Sequence, residues 1–176
     1  MRHLHKVLAT ISLIGILFVT AGCDLPFDLL EEQLSANEQA MTIDDLVRTE
    51  NFRQGALEHI LEGELNARGQ AVGFHYDRLP SKKGKIIEGT KTAPNEHGVF
   101  EAEVSVEGVK KESNRGRSSF FPDEWSAQEV VDAINEAYES RQFITGNTYE
   151  GLTRTGVMIR MYLDHNERII SAFPLY

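Results

Sequence analysis

The chain has 176 residues, a net charge of −9 and one cysteine. A single thiol excludes an internal disulfide framework, and the acidic balance excludes a binder that attracts nucleic acid over its whole surface. The charge is unevenly placed: Asp24 to Glu64 holds eleven acidic residues against Arg48 and Arg53, whereas residues 65–176 hold sixteen acidic and fourteen basic residues. Two basic clusters stand in that nearly neutral part. One is Arg78, Lys82, Lys83, Lys85 and Lys91; the other is Lys110, Lys111, Arg115 and Arg117. Local patches of this kind attract phosphate even on an acidic protein, although most are simply solvated loops.

The chain opens with a basic start (Arg2, His3, His5, Lys6), an apolar run from Leu8 to Val19, and then Thr20-Ala21-Gly22-Cys23. That is the layout of a secretory signal peptide, and the run is too short to span a bilayer comfortably. Its end resembles a lipobox, with Thr20 where leucine is usual. The resemblance implies that residues 1–22 are a removable leader and that Cys23 carries a lipid. The exported chain would then be anchored to the outer face of the cell membrane. An ordinary cleaved signal, giving a secreted protein, and an uncleaved anchor are the alternatives.

Residues 23–50 read as an acidic tether with a short helix from Ile43. Asn51 to Asn66 predicts a helix, because Phe52, Ala56, Leu57, Ile60 and Leu61 recur at helical spacing. Gln70 to Tyr76 predicts a strand, and Lys85-Ile86-Ile87 a shorter one. Phe100, Ala102, Val104 and Val106 alternate with polar residues, as on a strand with one wet face. Gly108 to Arg117 reads as a polar loop. Ser126 and Glu129 form a capping-box pattern ahead of an amphipathic helix ending near Arg141. Gly156 to Leu163 and Arg168 to Phe173 predict a hairpin turning at Asp164 to Glu167. Helices and strands do not alternate as βαβ units. The fold class is therefore α+β with mainly antiparallel sheets, and residues 51–176 are its folded domain.

His59 and His75 are the histidines placed beside apolar residues, the first in Glu58-His59-Ile60-Leu61-Glu62-Gly63 and the second in Gly73-Phe74-His75-Tyr76. By spacing alone two satisfied structural side chains explain them better than a catalytic pair does. A further reading collects His59, Glu62, His75 and Asp77 around a divalent metal in a binding or interaction module without catalysis. No HExxH or Cys-x-x-Cys spacing supports it.

The pieces Glu58–Gly63, Gly73–Tyr76, Gly98–Ala102, Ser118–Pro122 with Trp125, and Ile170–Pro174 resemble, in the same order, the bacterial EndoU nucleases, relatives of the coronaviral uridylate-specific endoribonuclease. The resemblance implies an EndoU-like fold and RNA cleavage, with tRNA among the candidate substrates, through a His-His-Lys set. His75 would be the base and His59 the acid. The lysine would be Lys111 or Lys110, with Arg115 and Arg117 as substitutes. Ser118 or Ser119 would help to read the base, Arg117 would contact substrate, and Phe173 would stand where the viral relative has a stacking tyrosine. Phe120, Phe121 and Trp125 read as core. Histidine suits the chemistry because one ring can be neutral and another charged near neutral pH. No metal is needed to make the nucleophile, which is the substrate's own hydroxyl, and stimulation by Mn2+ is left open. Related domains often serve as toxins, and the producer's own cytoplasm would then be protected by export itself or by a cognate immunity protein.

Overall fold

The computed structural model describes residues 42–176. The expected leader, Cys23 and the tether up to residue 41 lie outside the described residues. Over the described residues the protein is α+β, built from two α-helices and ten strands, and every pairing between strands is antiparallel.

The larger sheet is a C-terminal meander. Its strands are β7 (Gln142–Thr145), β8 (Thr148–Leu152), β9 (Met158–Leu163) and β10 (Ile169–Pro174), side by side in that order. The longer helix, α2 (Ala127–Glu139), lies across it and buries Val130, Val131, Ile134 and Ala137 completely. Both halves of the expected capping box are present at its start: the Ser126 hydroxyl accepts from the Glu129 amide, and the Glu129 carboxylate accepts from the Ser126 amide at 2.7 Å. Such a cap contributes about 1 kcal/mol. The helix comes close enough to β8 that a Cβ on Gly151 would fall 1.9 Å from the Ala137 carbonyl oxygen. The short helix α1 (Ala56–Leu61) packs Ile60 and Leu61 into the same core.

The second sheet is centred on β4 (Phe100–Val106), whose residues alternate between buried and half-buried as the sequence pattern predicts. It pairs with β3 (Gly84–Ile86), β5 (Val109–Lys110) and β6 (Arg117–Phe120). Its core joins Phe74, Phe100 and Phe120, the last two stacked at 5.0 Å between ring centroids. Phe121 is buried and Trp125 half-buried in the larger core, consistent with their structural assignment. A small ribbon of β1 (Glu64–Leu65) and β2 (Ala71–Val72) leads the chain from α1 to the turn at Gly73.

Several elements differ from expectation. The helix expected over 51–66 has six residues. Gly55 precedes it with φ +80° and Gly63 follows it with φ +76°, while Phe52 forms an isolated parallel bridge with Ile169. The strand expected over 70–76 stops after Val72, because Gly73 and Phe74 both turn into the left-handed region. The loop over 108–117 contains β5 and a 3₁₀ turn, Ser113–Gly116. Strands β7 and β8 are unanticipated, although the Gly146-Asn147 pair between Thr145 and Thr148 is a two-residue hairpin signal. The folded part also starts before Asn51. Leu46 is buried in the main core, Arg48 pairs with Asp132, and Asn51 bonds Asn135 at 3.0 Å, so Thr42–Glu50 runs along α2.

Candidate active site

A cleft of about 610 Å³ opens where α1, the second sheet and β10 meet, and His59, His75, Lys111, Ser118, Ser119 and Phe173 all line it. The two histidines are joined through backbone. The carbonyls of His59 and Ile60, at the open end of α1, accept from the amides of Phe74 (3.0 Å) and His75 (2.7 Å). Helix ends leave such carbonyls unpaired, so the segment carrying the second histidine caps the helix carrying the first.

The approach is tight at Gly73, where an added Cβ would sit 1.9 Å from the His59 carbonyl oxygen. Its φ of +72° is easy for glycine, but the next residue, Phe74, also has a positive φ, +62°. A bulky side chain rarely adopts that conformation outside a functional or otherwise constrained site. What holds it is the second core: the Phe74 ring meets Phe120 edge-on at 5.3 Å and fills the space left by the missing Cβ of Gly84. Sending Phe74 one way leaves His75 to the cleft.

His75 is 5% exposed, and its Nδ1 lies 2.8 Å from the Ser119 carbonyl oxygen. A carbonyl only accepts, so Nδ1 carries the hydrogen and Nε2 carries the lone pair of the neutral ring. Burial first, and then the charge of nearby Lys111, hold the ring's pKa well below the ordinary histidine value. Phe173 stacks on it with centroids 5.1 Å apart and ring planes 19° from parallel. The Nδ1 of His59 donates to the Glu64 carboxylate at 3.0 Å, a partner that the sequence reading missed.

Lys111 reaches the cleft and donates from Nζ to the Ser118 hydroxyl at 2.8 Å and to the Gly73 carbonyl at 3.3 Å. Burial brings its pKa down to about 8. Lys110 does not enter the cleft. Parity continued from Phe100 would turn it to the core, but Glu107 and Gly108, both with positive φ, form a two-residue turn that resets the register. Lys110 sits opposite Ser105 and shares its outward face, exposed.

The other expected residues divide. Arg117 lines the cleft, but its guanidinium is committed to the Thr90 and Glu101 carbonyls, each at 3.0 Å, and to the Glu101 carboxylate. It braces the wall. Arg115 is exposed on the left-handed part of its turn. In the first basic cluster, Lys83 pairs with Glu62 and Lys91 with Asp123, and neither lines the cleft. The same Glu62–Lys83 pair occupies a member of the candidate metal set. Among the described residues no three His, Cys, Asp or Glu side chains gather as a metal site. The β9 residues Arg160 and Tyr162 also line the cleft and were not singled out in the sequence. They alternate with buried Ile159, Met161 and Leu163, and that alternation was their available signal.

A family profile described as bacterial EndoU nuclease matches residues 53–176. A curated Bacillus cereus protein named "Toxin" is 49% identical over 144 residues, covering 82% of this chain and 26% of that protein. The chain thus spans about a quarter of that relative's length. No solved structure gives a significant match.

Proposed function

The chain belongs to the bacterial EndoU nuclease family, and from that premise we propose that it is an endoribonuclease that cuts RNA by attack of a ribose 2′-hydroxyl on the adjacent phosphate. The observation that carries this reading is convergence: His59 from α1, His75 after the Gly73 turn and Lys111 after β5 reach one cleft.

Nε2 of neutral His75 takes the proton of the 2′-hydroxyl. The 2′-oxygen bonds to phosphorus, and the bond from phosphorus to the 5′-oxygen breaks. The departing 5′-oxygen takes a proton from His59, leaving a 2′,3′-cyclic phosphate and a free 5′-hydroxyl. The acid role falls to His59 because the buried ring of His75 is held neutral. The ammonium of Lys111 stabilises the charge that grows on the phosphoryl oxygens; fixed donors of this kind contribute about 10²–10³-fold in rate. Phe173 gives a base an aromatic wall, worth roughly 1–3 kcal/mol. The nucleophile belongs to the substrate, so this route does not call on a metal.

The test is incubation of the purified protein with a tRNA pool in EDTA. Cleavage with cyclic-phosphate ends is expected. Intact RNA, both in EDTA and after addition of Mn2+, would sink the proposal.

The Bacillus cereus relative's name, "Toxin", supports a toxic role; on this reading the RNA of another cell is the substrate and an immunity protein protects the producer. We place the nuclease at the outer face of the membrane, tethered by lipid on Cys23. Radioactive fatty acid should label the protein and fail to label Cys23→Ala; equal labelling of both would remove the tether from the reading.

A further inference from the structure

Ser118 and Ser119 are neighbours on β6, yet their surroundings differ. The Ser118 side chain is 1% exposed and its hydroxyl is engaged twice over. It accepts from Lys111 Nζ at 2.8 Å and donates to the Gly73 carbonyl at 3.0 Å. Lys111 also donates to that carbonyl, at 3.3 Å. One hydroxyl hydrogen and one well-placed lone pair are thereby used within the protein, which leaves little for a nucleobase edge.

The shared acceptor has a position of consequence. Gly73 opens the turn that presents His75, and its backbone lies against the carbonyl of His59. Lysine has four rotatable bonds and strongly hydrated donors, so an unheld ammonium would sample many positions. A hydroxyl bonded at once to the ammonium and to the histidine turn removes that freedom. We infer that Ser118 is a positioning residue: it fixes the ammonium of Lys111 against the Gly73 turn, in register with the two histidines, and does not read the base.

The kinetic part of this inference rests on the ribonuclease reading, so its test has a second readout. Ser118→Ala fits the same space and leaves the Gly73 carbonyl its bond from Lys111. With a short RNA series differing only in the base at the cut, Ser118→Ala should lose about 10²-fold in kcat. KM and the order of preference among bases should stay within about twofold of wild type. Ser118→Cys, similar in shape but a weaker acceptor, should fall between. The 13Cε resonance of Lys111, followed against pH, should report a midpoint of about 8 in the wild type. Ser118→Ala should lower it, because the ammonium stays buried and loses an acceptor.

A changed base preference with kcat retained would make Ser118 a reader and overturn the inference. So would an unshifted Lys111 titration in Ser118→Ala. A wild type that cuts no RNA would remove the nuclease reading instead, and the resonance would still decide whether Ser118 holds the lysine.

Discussion

His75→Ala and His59→Ala should each lower kcat/KM on RNA at neutral pH by about 10²–10⁴-fold, the usual contribution of a placed acid or base. The two losses should separate on a second substrate. In a nucleoside 3′-(4-nitrophenyl phosphate) the leaving group departs as a stable anion and needs little help from a proton. His59→Ala should then recover most of its rate, whereas His75→Ala should stay slow, because the 2′-hydroxyl must still lose its proton. The structural ground is the asymmetry of the rings. His75 is buried, donates from Nδ1 to a backbone carbonyl and is held neutral, whereas His59 is less buried and donates to the Glu64 carboxylate. Recovery by His75→Ala alone would exchange the roles. Recovery by neither would show that the rings do not divide acid and base work in this way.

Much of this arrangement was legible in the sequence, for physical reasons that differ by element. α2 was readable because its cap and apolar stripe are local: Ser126 and Glu129 satisfy each other within one turn. The alternation in β4 was readable because one face is buried and the other wet. α1 was overextended because a periodic stripe says nothing of Gly55 and Gly63, whose positive φ bounds the helix at six residues. The strand at 70–76 failed at Phe74, where tertiary packing against Phe120 overrides the local preference of a bulky residue for extended backbone. The choice between Lys110 and Lys111 depended on the turn at Glu107-Gly108, and parity cannot be carried through a two-residue hairpin. Glu64 was invisible as a partner of His59 because the chain between them leaves the helix and enters β1.

The second large effect concerns Lys111, for which function and stability should move in opposite directions. A free lysine keeps its proton to about 10.5, but burial brings Lys111 down to about 8 in the folded protein. Between those values the unfolded chain holds a proton that the folded chain has lost, so this group makes stability rise with pH across that window. Below about pH 8 both states are protonated and the buried charge costs its full amount. The shift corresponds to about 3–4 kcal/mol at most, reduced to about 1–2 kcal/mol because the side chain is only partly shielded from solvent. Lys111→Met keeps the apolar stem, removes the charge and leaves Ser118 bonded to the Gly73 carbonyl at 3.0 Å. In urea at pH 7 it should therefore be more stable than wild type by that amount, and the advantage should shrink as pH rises from 8 to 10.5. Activity should show the converse. On the 4-nitrophenyl ester, whose leaving group does not need the His59 proton, the wild-type rate should fall above about pH 8 with loss of one proton, and Lys111→Met should lose about 10²–10³-fold on the plateau. Lys111→Arg should keep part of the rate and move the alkaline fall upward, since a guanidinium holds its proton there. A Lys111→Met protein no more stable than wild type at pH 7 would show that the ammonium carries no such burial cost, and an alkaline fall unmoved in Lys111→Arg would show that it is not the cation the reaction uses.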